Sequence, residues 1–163
     1  IGSLFLTISA KVQVPFYPVP MTMQTLVVLL IGMSYGLSLG AMTIGLYIMQ
    51  GVFGLPVFAN GGGVGYLIGP TGGYIIGFLI SSILLGFLAN RGWGKTWKTT
   101  AIAMILGVCI IFLIGVGWLS VYIGLKPAVL NGFLPFIYAD CLKIMIACVI
   151  MPTAWAKVHK ILE

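Results

Sequence analysis

The sequence predicts an all-α polytopic membrane protein with six transmembrane helices. Three observations carry that expectation. Of its 163 residues, 61% are hydrophobic and only 6% are charged, where a soluble globular domain carries about 25%. Mean hydropathy is +1.20, which also excludes disorder, since disordered chains combine low hydrophobicity with high charge. Finally, one spanning helix takes about 20 residues, so six use most of the chain and leave short connections, whereas seven leave almost no loops.

The segments follow from breaks in the apolar runs. Segment one covers about Ile1 to Val14 and starts inside an apolar run, so helix 1 is expected to be represented by its later part; neither a basic leader nor an Ala-x-Ala cleavage site marks a signal peptide. Pro15, Pro18 and Pro20 stiffen the loop that follows. Segment two opens near Thr22, a suitable N-cap, and runs to about Tyr35; a break around Gly36 to Gly40 leads to segment three, ending near Phe53. Gly54 to Gly73 is a long uncharged connection rich in glycine, and segment four covers about Thr71 to Leu88. Asn90 to Lys98 is a basic loop, and segment five runs from Thr99 to Tyr122. Gly124 to Gly132 connects to segment six, Phe133 to Ala156. The whole chain, 1–163, reads as a single integral membrane domain. Two small-residue ridges, Gly69-Gly73-Gly77-Ser81 and Gly32-Gly36-Gly40, predict close helix packing.

Charge sets the orientation. With six spans, Arg91, Lys95, Lys98, Lys157 and Lys160 share one side, against Lys126 and Lys11 on the other. The positive-inside rule then puts both termini in the cytoplasm and turns the proline loop, the glycine-rich loop and the last connection outward. Net charge is +6, but the basic residues are dispersed, which argues against a nucleic-acid partner and for the bilayer. Cys109, Cys141 and Cys148 are odd in number, lack a CxxC spacing and read as small buried hydrophobes.

Three constellations could carry chemistry. Asp140 is the only acid before Glu163, and Lys143 lies three residues on, so both share a helix face inside an apolar run. An ionisable group at that depth costs about 2.5–3.5 kcal/mol, which an apolar pair avoids, so the pair marks a ligand site with one acceptor and one cationic donor. In the glycine-rich loop, Asn60 offers an amide and Tyr66 a ring and a hydroxyl, while Pro70-Thr71 can open a helix whose N-terminus suits a carboxylate. Gln24 lies just inside segment two and needs a hydrogen-bond partner, as does Gln50. Gly94-Lys95-Thr96 lacks the rest of a phosphate loop, Gly63-Val64-Gly65 does not extend to a dinucleotide fingerprint, and His159 is the only histidine. No metal site, catalytic triad or nucleotide site is therefore expected; any ATP-driven step must come from a partner.

Val19-Pro-Met-Thr-Met-Gln-Thr-Leu, Gly54-Leu-Pro-Val-Phe-Ala, Gly69-Pro-Thr-Gly-Gly-Tyr and Asp140-x-x-Lys143, in that order, resemble the BioY family across nearly the whole chain. These are the biotin-specific substrate-capture subunits, or S components, of prokaryotic energy-coupling factor (ECF) transporters. The resemblance implies a six-helix ECF S-component fold in the cytoplasmic membrane and biotin bound near the outer face under the loop between helices 1 and 2. It also implies docking onto a transmembrane scaffold subunit with two ABC ATPases. Carried onto this chain, the implied biotin contacts are Asn60, Tyr66, Asp140 and Lys143, with Gln24 and Val19. Biotin is then cargo, no cofactor is expected, and the chain is not itself an enzyme. Two positions depart from the family pattern: Ser3-x-x-x-Thr7 stands where the first helix usually has Ala-x-x-x-Ala, and Ala139 where Gly often precedes the aspartate. Competing readings are an S component for another small vitamin, and a stand-alone proton-coupled carrier with Asp140 as relay. Carriers usually break helices in both halves, and this sequence does so in one. A membrane enzyme is the weakest reading, because the groups for catalysis are missing.

Overall fold

The computed structural model describes the backbone of residues 1–162 and the side chains of residues 1–157; His159, Lys160 and Glu163 lie outside the described side chains. The helices are α1 (Gly2–Lys11), α2 (Gln24–Val52), α3 (Val64–Ile68), α4 (Gly72–Asn90), α5 (Trp97–Ile123), α6 (Leu125–Gly132) and α7 (Leu134–Leu162). A 3-10 turn, Trp93–Lys95, links α4 to α5, and two short strands, β1 (Gln13–Val14) and β2 (Met21–Thr22), pair antiparallel across the proline loop. Among the described residues, four helices are long and apolar enough to cross a membrane: Gln24–Val52, Gly72–Asn90, Trp97–Ile123 and Leu134–Lys157.

The first of these is not one rod. Gly36 has φ 74 and ψ −175, a conformation open to glycine and costly for residues with a Cβ, and the chain doubles back there. In a continuous helix Gln24 and Tyr47 would lie about 35 Å apart. Here the Gln24 Nε2 donates to Tyr47 Oη at 2.8 Å, so 24–35 and 37–52 are antiparallel arms. The expected break between segments two and three is thus confined to one residue. Gly36 makes the turn, where the ridge reading had it packing between helices. The remaining small residues do pack closely. A Cβ on Gly73 or Gly77 would press on Trp118 or Ile111 of α5, and one on Gly32 would lie 3.0–3.2 Å from Leu85 and Ser82 of α4.

α2 packs on α1, α4 and α7; α4 packs on α5, and α5 on α6 and α7, which closes the bundle. Its outer surface is apolar, with Leu113 78%, Val121 83% and Val149 69% exposed, as a lipid-facing bundle requires. Cys109 and Cys141 lie on that outer surface and Cys148 is half-buried, which corrects their reading as core residues: in an apolar solvent the outside suits a thiol as well as the inside does.

Two further boundaries differ from expectation. α1 ends at Lys11, because residues 13–14 leave the helix to pair with β2. The connection 124–132 is mostly helical: Gly124 (φ 84) ends α5, and Ala128 and Gly132 are buried on the bundle side of α6. Thr22 precedes the N-cap of α2, Met23, but its Oγ1 still accepts from the Gln24 amide at 3.3 Å.

Candidate functional site

The chain reversals gather the proline loop, the start of α2, the glycine-rich loop, the start of α4 and the start of α7 at one end of the bundle. There they enclose a cavity with about 510 Å³ of unfilled space, part of it open to solvent. Pro135 fits the first turn of α7, where its missing N–H costs nothing, and the helix it opens carries Asp140 into the cavity wall.

Asp140 and Lys143 are 3% and 4% exposed and one helical turn apart. The Lys143 ammonium donates to Asp140 Oδ1 at 2.7 Å, to Thr25 Oγ1 at 2.7 Å and to the Thr22 carbonyl at 2.8 Å. Its three protons are therefore all engaged. Thr25 passes its own proton on to Asp140 Oδ1 at 3.4 Å. A buried ion pair holds only when its remaining hydrogen-bonding capacity is met, and for Lys143 it is. For Asp140 it is met on one side only: Oδ2 is buried and has no partner among the described residues. Asp140 lines the cavity, and Lys143 stands behind it. The arrangement presents one negatively charged acceptor to whatever enters.

Gln24 is buried in the same wall. Its Nε2 is held by Tyr47, whose hydroxyl donates in turn to the Val57 carbonyl at 3.0 Å. That relay ties both arms of α2 to the glycine-rich loop. The loop then places Phe58, 1% exposed, in a stack with Tyr66 at 5.0 Å between ring centroids and edge-on to Tyr47 at 5.5 Å. Phe58 can lie so low because Gly51 offers no Cβ to meet its ring. Burial pushes the Tyr66 phenol above its ordinary range, against the opposite pull of the Thr71 side chain and the Asn60 backbone. Thr71, the N-cap of α4, lines the cavity as well, so the α4 N-terminus borders it. The apolar part of the lining is formed by Tyr74, Phe78, Phe112 and Phe136, the last one turn before Asp140 on α7. Tyr74 donates to the Gly132 carbonyl at 2.8 Å, which fixes α6 against α4. A small molecule with N–H donors at one end and an apolar body matches this division.

Of the six residues singled out in the sequence, Val19, Gln24, Tyr66 and Asp140 line the cavity together. Lys143 reaches it only through Asp140 and Thr25. Asn60 is exposed on the outer loop and is not part of the wall; its Oδ1 accepts from Gln13 Nε2 at 3.1 Å. Gln50 lies near the end of α2, outside the wall. Thr25, Phe58, Phe112 and Phe136 belong to the site and were not singled out. Phe58 had a signal, as the only aromatic between Gly54 and Gly63. Thr25 had none beyond its neighbour Gln24, since its partner lies on α7.

The BioY family model matches residues 1–160. A relative from Pyrococcus horikoshii, described as a probable biotin transporter BioY, is 39% identical over 88% of this chain and 85% of its own. The biotin transporter BioY of Thermotoga maritima is 34% identical over 92% of this chain and 89% of its own. A solved structure of the S-component for biotin from an ECF-type ABC transporter superposes with a TM-score of 0.83 at 28% identity, covering 95% of this chain and 87% of the other.

Proposed function

The chain belongs to the BioY family, and from that premise we propose that it is the biotin-capturing S component of an ECF-type ABC transporter. One observation carries the reading: Asp140 Oδ2, buried in the wall of the cavity without a partner among the described residues, beside an ammonium that has no proton left to give. Biotin brings a cyclic urea with two N–H donors. One of them completes the Asp140 carboxylate, and Lys143 holds that carboxylate in place. Gln24 borders the same polar wall. Tyr66, Phe58 and Val19 cover the sulfur-containing ring and the apolar chain. The carboxylate end lies toward the mouth, near Asn60 and the Gly62 amide, since the Gly61 and Gly63 amides already donate to the Phe58 and Gly51 carbonyls. Charge-assisted bonds of this kind are worth about 1.5–3 kcal/mol each.

In the bilayer, α1, the two arms of α2, α4, α5 and α7 make six crossings of one integral membrane domain. The exposed Arg91, Lys95, Lys98 and Lys157 gather at the end away from the cavity, which supports placing that end and both termini in the cytoplasm of a prokaryotic cell. The cavity then opens outward, where cargo is captured. In this reading, release inward is driven by a membrane scaffold subunit and two ABC ATPases, in keeping with the likeness to an S-component from an ECF-type ABC transporter. The chain is in this view a transport subunit and not an enzyme, with biotin as cargo and no cofactor.

Calorimetric titration of purified Asp140→Asn with biotin tests the assignment. The carboxamide keeps the shape and loses the charge, so affinity falls by about 30-fold or more while the protein still elutes as a folded species. Unchanged affinity removes Asp140 from the site.

A further inference from the structure

The wall formed by residues 57–61 is fastened twice. The inner fastening is the Tyr47–Val57 hydrogen bond, which is buried. The outer one comes from the end of α1. Lys11 Nζ donates to the Phe58 carbonyl at 2.6 Å and lies 3.4 Å from that of Ala59. Gln13 Nε2 donates to the Ala59 carbonyl at 3.3 Å and to Asn60 Oδ1 at 3.1 Å. Phe58 and Ala59 both line the cavity. The opposite lip, with Val19 and Pro20, springs from the same place: β1 pairs with β2, and the Met23 amide donates to the Val12 carbonyl at 3.0 Å. Residues 11–13 thus hold both lips of the cavity.

We propose that Lys11 and Gln13 form a clasp that sets the residence time of the captured molecule, with the seam between α1 and residues 58–60 as the place where the cavity opens. The two fastenings differ in what opening costs. Parting Tyr47 from Val57 exposes buried polar groups inside the bundle. Parting the clasp frees groups at the rim, where Lys11 and Asn60 are already exposed and water can replace the protein partners. The closed clasp also leaves Gln13 Oε1 buried without a partner among the described residues, a cost that opening removes. The outer seam is therefore the weaker one. Lys11 acts as a positioning residue, since its ammonium is spent on backbone carbonyls and reaches the ligand only through Phe58 and Ala59.

The clasp rests on the reading of this cavity as the biotin site, and two readouts separate the two. Stopped-flow binding of biotin and of its uncharged amide to Lys11→Met gives an off-rate raised about tenfold for both ligands, with on-rates little changed. Lys11→Arg restores the slow off-rate, and Gln13→Leu raises it by a smaller factor. An unchanged off-rate overturns the clasp. So does a loss confined to the on-rate or to the acid form, which would make Lys11 an electrostatic attractor of the carboxylate. Hydrogen exchange of residues 57–61 in the ligand-free proteins gives the second readout: exchange is faster in Lys11→Met and Gln13→Leu than in the parent, and equal exchange overturns the clasp. If the parent takes up no biotin, the biotin reading fails, and hydrogen exchange still decides the clasp.

Discussion

The two ends of the bundle handle the same charge in opposite ways. At the cavity end, Lys143 is 4% exposed and gives all three protons to Asp140, Thr25 and the Thr22 carbonyl. At the other end, Arg91, Lys95 and Lys98 stand exposed around a turn, and Arg91 rests its guanidinium 4.1 Å from the Phe87 ring centroid. A buried ammonium is tolerable only when its bonding capacity is met, whereas a cation at the membrane surface needs only water or headgroups. Engagement is thus a better guide to role than charge.

Substitutions can break or sharpen that contrast. Lys143→Met strands the Asp140 carboxylate and is expected to cost about 3–5 kcal/mol of stability, read as a lowered melting temperature in detergent. Adding Asp140→Asn to that variant recovers part of the stability and none of the binding; a double variant that binds biotin well would break the comparison. The turn at Gly36 offers a milder test at the other end. Gly36→Ala places a Cβ at φ 74, 2.7 Å from Asn90 Oδ1, and is expected to cost about 1–2 kcal/mol of stability with ligand affinity unchanged. The smallest effect belongs to Lys95→Gln, expected within about 0.5 kcal/mol of the parent in stability, with no change in affinity by titration. Weakened binding in that variant would show that the two ends are coupled.

The all-helical, apolar character and most helix boundaries were legible because their signals are local. Proline and glycine end helices by their own backbone chemistry, and a charged pair in an apolar run shows itself at i,i+3 spacing. What escaped depends on distant partners. Asp140 and Lys143 could be found in the sequence, but the saturation of Lys143 by Thr22 and Thr25 depends on α2 meeting α7. Asn60 carried the right chemistry for a ligand contact, yet the loop fold turns its side chain toward Gln13. α6 was missed because Leu125–Gly132 is too short to show a helical period, and its burial comes from the neighbouring helices. The break near Gly36 was visible, but its narrowness was not, since φ is a property of the folded backbone.

The doubling back at Gly36 also bears on how the chain enters a bilayer. At 1.5 Å per residue the arms 24–35 and 37–52 measure about 18 and 24 Å, both short of a hydrocarbon core of about 30 Å. Neither is a good insertion signal on its own. The two arms complete each other as a pair, joined by the Gly36 turn with Gln24 and Tyr47 meeting at the open end. The Gln24–Tyr47 hydrogen bond closes that open end, so this part of the cavity wall exists only where both arms of the hairpin meet.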